Sequence, residues 1–144
     1  MGTRAGSSPG PRARPLRYCL DSWSVVEWLA DREPAASRVD DILPRRPVMS
    51  WINVGEVFYV VERREGRAAA VEVVDFLRAR VALDLPTPER VLEAAALKAG
   101  YAMSYADAFA VATALAYDAV LLTGDPHIVE GDQAWPVEDL RPTG

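Results

Sequence analysis

The sequence contains only one cysteine, one histidine and one lysine among its 144 residues. A single cysteine, Cys19, excludes an internal disulfide and fits a reducing compartment. A single histidine, His127, excludes a site in which two histidines exchange acid and base roles, and a lone histidine is more often a surface residue than a ligand. Lys98 is the only lysine, so residues 99–144 lack the late lysine that a receiver domain needs.

The sequence also lacks long apolar runs. No run approaches the roughly 20 residues that cross a membrane. Residues 1–17 are rich in Gly, Pro, Ser and Arg and contain no apolar segment typical of a secretory signal. We therefore expect a cytoplasmic protein with no membrane association. Residues 1–17 cannot bury enough apolar surface to become ordered, and we expect a flexible tail there, followed by one domain over residues 18–144.

Positive charge is scarce outside the first 17 residues. The formal net charge is −5, and four arginines but no acid lie in residues 1–17. The remainder carries 12 basic and 21 acidic residues, a net of −9. A basic patch is usual in proteins that bind nucleic acid. Acids gathered at a metal site would explain part of this balance, because bound cations reverse the local charge.

Short apolar segments alternate with helical patterns along the chain. This alternation predicts an α/β fold of three layers, with a short parallel sheet between helices. The predicted strands cover residues 18–20, 47–49, 81–83 and 119–123, with an edge strand at 136–138. The predicted helices cover residues 22–30, 34–43, 51–64, 68–80, 88–97 and 105–117.

Four acids fall where such a fold binds ligands, near the carboxyl ends of its strands. Asp21 directly follows the first strand, and Asp125 follows the strand at residues 119–123. Asp107 lies in the first turn of the helix that leads into that strand, and Glu56 comes from another helix. Four converging carboxylates without a balancing cation repel one another. Divalent cations, which prefer oxygen ligands, would remove that repulsion.

Each acid also has a structural interpretation. Asp21 could cap the helix that begins at residue 22, Asp107 could form a capping box with Ser104, and Asp125 could form an Asx turn. Glu56 is different, because residues 52–61 contain almost no other polar side chain. An unpaired carboxylate there would cost several kcal/mol. A metal ion would offset this cost, as would a hydrogen bond from Tyr59 or an arginine.

The acids lie in four motifs that are more specific as a set than singly. They are YCLDS (18–22), GEV (55–57), SYADAFAVATA (104–114) and LLTGDP (121–126). In this order and spacing the chain resembles the PIN-domain ribonucleases, most closely the VapC-type toxins of toxin–antitoxin pairs. The resemblance covers about residues 18–140. The tail has no counterpart in a typical member, and Trp23 is bulkier than the residue common at that position.

The resemblance assigns a role to several side chains. It implies that Asp21, Glu56, Asp107 and Asp125 are the family's acidic quartet, which serves in both catalysis and metal binding. Ser22 and Thr123 match small hydroxyl positions that support the quartet. Asn53 lies one turn before Glu56 and is a further supporting candidate.

The sequence therefore predicts a Mg²⁺-dependent endoribonuclease, in which Mn²⁺ can substitute. One or two ions would activate a water for phosphodiester hydrolysis. Either Glu56 or Asp21 would accept the proton of that water. The resemblance also implies RNA as substrate, products with 5′-phosphate and 3′-hydroxyl ends, a small antitoxin with a basic segment as partner, and a homodimer.

The sequence is compatible with two other functions and excludes one further enzyme class. A housekeeping RNA-processing nuclease would use the same residues. A non-catalytic PIN-like binding module would use the acids only as helix caps and perhaps for a structural cation. A haloacid-dehalogenase-like phosphatase is excluded, because it needs a second Asp two residues after the first and Trp23 stands there.

Overall fold

Five parallel strands form a single sheet in the computed structural model, which describes residues 15–130 and 134–143. The order across the sheet is β3-β2-β1-β4-β5. The strands are β1 (Arg17–Leu20), β2 (Val48–Ser50), β3 (Ala82–Asp84), β4 (Ala119–Thr123) and β5 (Val137–Asp139). The helices are α1 (Ser22–Leu29), α2 (Ala35–Ile42), α3 (Trp51–Glu65), α4 (Arg67–Arg80), α5 (Pro88–Gly100), α6 (Tyr105–Ala116) and α7 (Pro126–Val129), with a 3-10 turn at Leu43–Arg45.

Helices cover both faces of the sheet, so the predicted three-layer α/β/α architecture is confirmed. Neighbouring residues of a strand point to opposite faces. Leu20 and Leu122 pack with apolar residues of α1 to α4, whereas Cys19 and Leu121 pack with α5, α6 and α7. These strands are uniformly apolar because both of their faces are buried.

The strand register brings one set of residues to the carboxyl edge of the sheet. Leu20 lies level with Met49 on one side and with Leu122 on the other. Because the strands are parallel, the residues that follow these positions meet at the same edge. The loops after β1 and β4 and the start of α3 therefore lie next to one another.

The helix boundaries follow the predicted caps. The hydroxyls of Ser50, Thr87 and Ser104 each accept a hydrogen bond from a backbone N–H in the first turn of α3, α5 and α6. Gly66 separates α3 from α4 with a φ of 94°, which only glycine adopts without strain. Short-range rules of this kind account for most element boundaries.

The predicted tail is one boundary that differs from the structure. Arg17 was placed in the tail, but it belongs to β1 and pairs with Ala119. The parallel ladder with β4 orders this residue, which composition alone could not indicate. Residues 1–14 lie outside the described residues, so the flexible tail remains a prediction. Within the described residues, no helix has the length and apolar character to cross a membrane.

Two glycines of the α3–α4 hairpin should respond to substitution in opposite ways. Gly66→Ala should lower the free energy of unfolding by about 1–3 kcal/mol, because an alanine is strained at its φ of 94°. Gly55→Ala should raise it by about 0.5–1 kcal/mol, since Gly55 lies inside α3 with open space around it. Urea unfolding followed by circular dichroism measures both. Equal effects of the two substitutions would contradict this account.

Candidate metal centre

Three of the four predicted acids lie at the starts of helices. Asp21 caps α1, Asp107 lies in the first turn of α6, and Asp125 caps α7. Glu56 lies further along, in the second turn of α3. Glu56, Asp107 and Asp125 line one cleft of about 450 Å³, together with Ser22. The structure thus gathers three acids around one cleft and buries the fourth, Asp21, close to them.

Asp21 is the buried member of this group, with a residual exposure of 2%. Its Oδ1 accepts a hydrogen bond of 2.8 Å from the backbone N–H of Ser24, and its Oδ2 accepts one from the hydroxyl of Thr123. The Thr123 oxygen in turn accepts a 3.0 Å hydrogen bond from the backbone N–H of Asp125. Thr123 therefore holds the loops that carry Asp21 and Asp125 against each other, a supporting position consistent with its prediction.

Glu56 is half-buried and has a hydrogen-bond partner that differs from the two kinds the sequence suggested. The hydroxyl of Ser22 donates to its Oε1. Among the described residues neither Tyr59 nor an arginine provides the contact, and Tyr59 is 46% exposed. Ser22 follows Asp21 directly, so this hydrogen bond joins the start of α1 to the middle of α3.

Asp107 forms the predicted capping box with Ser104. Its backbone N–H donates to the Ser104 hydroxyl at 3.1 Å, and its Oδ2 accepts from the Ser104 backbone N–H at 3.4 Å. Asn53 supports the same turn from α3, since its side-chain amide donates to the carbonyl of Ala106 at 3.1 Å. Asn53 is 1% exposed, and its Oδ1 has no hydrogen-bond partner within residues 15–130 and 134–143. It positions α6 against α3 from behind the cleft.

Burial and neighbouring negative charge raise the pKa of Asp21 and Asp107. Burial raises the pKa of Asp21 to about 7, an effect that hydrogen bonds from Thr123 and Ser24 reduce and that the charge of Asp107 increases. Burial also raises the pKa of Asp107, and the charges of Asp125 and Glu56 raise it further against the hydrogen bonds of Ser104. Both burial and the nearby carboxylates therefore oppose the ionisation of Asp21 and Asp107.

The donor set fits a divalent cation. It consists of carboxylate oxygens, the ligands that Mg²⁺ prefers, and none of the four acids forms an ion pair within the described residues. In the same part of the chain, no three acidic, histidine or cysteine side chains are already grouped closely enough to hold one ion. A cation bound here would contact some of the carboxylates through water, as Mg²⁺ commonly does.

Comparison with known proteins identifies the family of this chain. The PIN domain family model matches residues 18–132, which is most of the chain. The chain belongs to the PIN domain family. Among curated proteins, no sequence relative matches it. The family assignment confirms the resemblance that the motifs indicated.

Several solved structures share this PIN fold. The DNA-bound VapBC2 of Rickettsia felis superposes with a TM-score of 0.69 at 14% identity, over 88% of this chain and 100% of that chain. The DNA-bound VapBC of Salmonella typhimurium gives 0.69 at 18% identity, over 87% and 98%. VapC20 of Mycobacterium tuberculosis, described as a toxin that cleaves the sarcin–ricin loop, gives 0.62 at 20% identity, over 72% and 86%. At these identities the likeness demonstrates the fold.

Arg64 and His127 also line the cleft of this PIN domain, but they were not predicted there. Arg64 lines it because it lies four and eight residues beyond Val60 and Glu56 on the same side of α3. That spacing was visible in the sequence. His127, in α7, is exposed as expected for a lone histidine, but it also lines the cleft. Its position depends on where α7 packs, which no local pattern indicates.

Trp23 forms a wall of the cleft by packing against Gly124. A Cβ at Gly124 would lie 2.3 Å from two ring carbons of Trp23, so only glycine leaves room for the indole. Trp23 lies in the first turn of α1, two residues after Asp21, and Gly124 lies in the loop after β4, next to Asp125. The bulky residue that sets this chain apart from other family members therefore shapes the cleft and leaves the acids in place.

Asp21 should make the metal-free protein less stable as the pH rises. Its pKa is about 7 in the fold and about 3.9 in an unfolded chain, so the fold holds more protons between these values. The contribution of Asp21 to stability is therefore greatest below about pH 4 and is lost as the pH rises through 7. In EDTA, the melting temperature of the wild type should fall from pH 5 to pH 7.5, and Asp21→Asn should flatten the slope. Asp41→Asn, at an exposed acid of α2, is the control. A wild-type slope that persists in Asp21→Asn would contradict this assignment.

Proposed function

We propose that this PIN domain is a metal-dependent endoribonuclease that hydrolyses RNA phosphodiester bonds as the toxin of a type II toxin–antitoxin pair. The observation that carries the proposal is the convergence of three acids on one cleft, with a fourth buried beside them and no cation paired to any of them within the described residues. Such an arrangement costs stability unless a ligand of opposite charge binds. The family assignment and the toxin–antitoxin neighbours support the same proposal.

Asp21, Glu56, Asp107 and Asp125 would hold one or two Mg²⁺ ions, with Mn²⁺ able to substitute. When bound, such an ion supplies a water of lowered pKa and stabilises negative charge on the phosphate. Glu56 lines the cleft and would accept the proton of the attacking water, whereas Asp21 lies behind it. Ser22 keeps the Glu56 carboxylate oriented through its hydroxyl. The products would carry 5′-phosphate and 3′-hydroxyl ends.

Positive groups around the cleft would receive the phosphate. The N-termini of α1 and α6 face this edge of the sheet, and a helix N-terminus favours an anion. Arg64 and His127 line the same cleft and would contact phosphate oxygens of the RNA strand. These groups offset the repulsion between an acidic site and a polyanionic substrate.

The acidic cleft also suits a protein inhibitor. A small antitoxin with a basic segment would cover the cleft and pair with its carboxylates, as expected between complementary charges. A homodimer would form through helix surfaces, where Ile52, Tyr59 and Val71 of α3 and α4 are 38%, 46% and 44% exposed. Both partners are proposals that follow from the family and from these surfaces.

Cleavage of a labelled pool of structured RNA tests the nuclease. The wild type should cut the pool in Mg²⁺ and in Mn²⁺ but not in EDTA. Asp107→Asn and Asp21→Asn should each reduce the rate by about 100-fold or more, because they remove an anionic ligand of the metal. Asp41→Asn should cut like the wild type. If folded Asp107→Asn and Asp21→Asn cut as fast as the wild type, the assignment of the acidic quartet is wrong. If the folded wild type never cuts RNA, the non-catalytic binding module is favoured instead.

Growth on expression separates a toxin from a processing nuclease. Induction of the wild-type chain in a bacterial host should arrest growth, and Asp107→Asn should not, because the arrest depends on RNA cleavage. Co-expression of a small protein encoded beside the gene should restore growth. A chain that cuts RNA in vitro without slowing growth would favour the processing nuclease.

A further inference from the structure

A second cleft lies at the opposite edge of the sheet, where the strands begin. It has a volume of about 440 Å³ and is lined by Arg17 at the start of β1, by Arg45 and Arg46 before β2, and by Tyr18 and Tyr117. We call it the arginine cleft. Within the described residues no acid lines it, although Asp118 lines an adjoining hollow and Asp84 accepts a hydrogen bond from the Tyr117 hydroxyl. Three arginines thus share one cleft in a protein of net charge −5.

The three arginines have no carboxylate partners. Arg17, Arg45 and Arg46 form no ion pair within residues 15–130 and 134–143. The arginines that do form ion pairs there are Arg32, Arg38, Arg67, Arg90 and Arg141. The sequence of residues 1–17 contains no acid. The cleft is therefore a positively charged surface that favours the binding of anions.

Contacts with the protein hold two of the guanidinium groups in place. The guanidinium carbon of Arg45 lies 5.0 Å from the ring centre of Tyr18, and its Nη2 donates to the carbonyl of Leu16 at 3.1 Å. The Nη1 of Arg46 donates to the carbonyl of Ala79 at 3.5 Å. The other N–H donors of each guanidinium group remain available to a ligand. Guanidinium forks fixed in this way match phosphate oxygens and lose little entropy on binding.

The backbone at Arg46 supports a role for this side chain. Its φ of 51° lies in the left-handed region, where a residue other than glycine costs about 1–2 kcal/mol. Asparagine or glycine would fill the same turn at lower cost. The turn nevertheless carries an arginine and directs it to the cleft beside Arg45.

We propose that the arginine cleft binds the sugar–phosphate backbone of RNA at a point away from the scissile bond. This inference rests on the nuclease function proposed above. The arginine cleft and the acidic cleft lie at opposite ends of the same strands, and four residues of β1 span about 13 Å. A structured or extended RNA is long enough to contact both. Guanidinium groups bind phosphates and carboxylates alike, but the partly exposed ring of Tyr117 beside them could also stack on a base, which an acidic peptide lacks.

Binding of a fluorescein-labelled 20-nucleotide oligouridylate in EDTA tests the proposal without cleavage. Arg45→Ala/Arg46→Ala should weaken binding about tenfold in 50 mM salt. It should also reduce the slope of log affinity against log salt by about 1.4, since each single-strand phosphate contact contributes about 0.7. Arg45→Lys/Arg46→Lys should recover part of the affinity. Thermal unfolding of each variant shows whether the fold is intact.

Arg32→Ala/Arg78→Ala is the matched control, because it removes the same two charges from exposed sites outside both clefts. Arg78 lies 4.8 Å over the Trp51 ring, much as Arg45 lies over Tyr18. This control should bind RNA like the wild type. An equal loss in the control, or wild-type binding by the cleft variant, would overturn the proposal. Competition by a 20-residue glutamate peptide as strong as that by unlabelled RNA would also overturn it.

A cleavage assay separates this inference from the nuclease proposal. Arg45→Ala/Arg46→Ala should raise KM for a long RNA and leave kcat unchanged, because these residues lie far from the acids. If the wild type cuts RNA and this variant binds and cuts it equally well, only the arginine cleft fails as an RNA site. If RNA binding depends on the arginines but no metal-dependent cutting occurs, the RNA site stands and the nuclease proposal fails.

Discussion

The hydrogen bond between Thr123 and Asp21 joins the ends of the two central strands, and the organisation of the acidic cleft depends on it. Leu20 pairs with Leu122, so the parallel register brings the next residue of each strand to the same point on the edge. Asp21 is 2% and Thr123 0% exposed, and polar groups buried so deeply must satisfy each other. Thr123 also accepts the backbone N–H of Asp125, so one hydroxyl holds both acid-bearing loops.

Helix starts explain how the fold tolerates an uncompensated group of acids. Each carboxylate of Asp21, Asp107 and Asp125 accepts backbone N–H groups at the start of α1, α6 or α7, and the positive ends of α1 and α6 favour nearby negative charge. Helix capping and ligand binding are therefore not alternatives for these residues, since an acid that caps a helix is also held in place for a ligand. The charge is separated along the strands, with carboxylates at one edge of the sheet and unpaired arginines at the other.

Local sequence patterns were sufficient to predict the helices and strands, and the motifs were sufficient to select the candidate acids. Alternating apolar segments and caps such as Ser50 and Ser104 act within a few residues, and a linear sequence displays such interactions directly. The hydrogen-bond partner of Glu56 could not be predicted from such local patterns. The sequence suggested Tyr59, an arginine or a metal ion as its partner, whereas the structure pairs it with Ser22, 34 residues earlier in the chain. Contacts of that separation are decided by how α1 packs against α3, which no local pattern records.

By itself, the sequence determined the α/β class and the alternation of helices and strands, because these depend on short-range spacing, and its motifs predicted the four acids as the site. Only the tertiary structure decided which distant residues share a surface. It brought Arg64 and His127 to the acidic cleft, packed Trp23 on Gly124, and placed Arg17 beside Arg45 and Arg46. The physical reason is the register of a parallel sheet, which aligns strand ends that lie many residues apart and thereby forms both clefts.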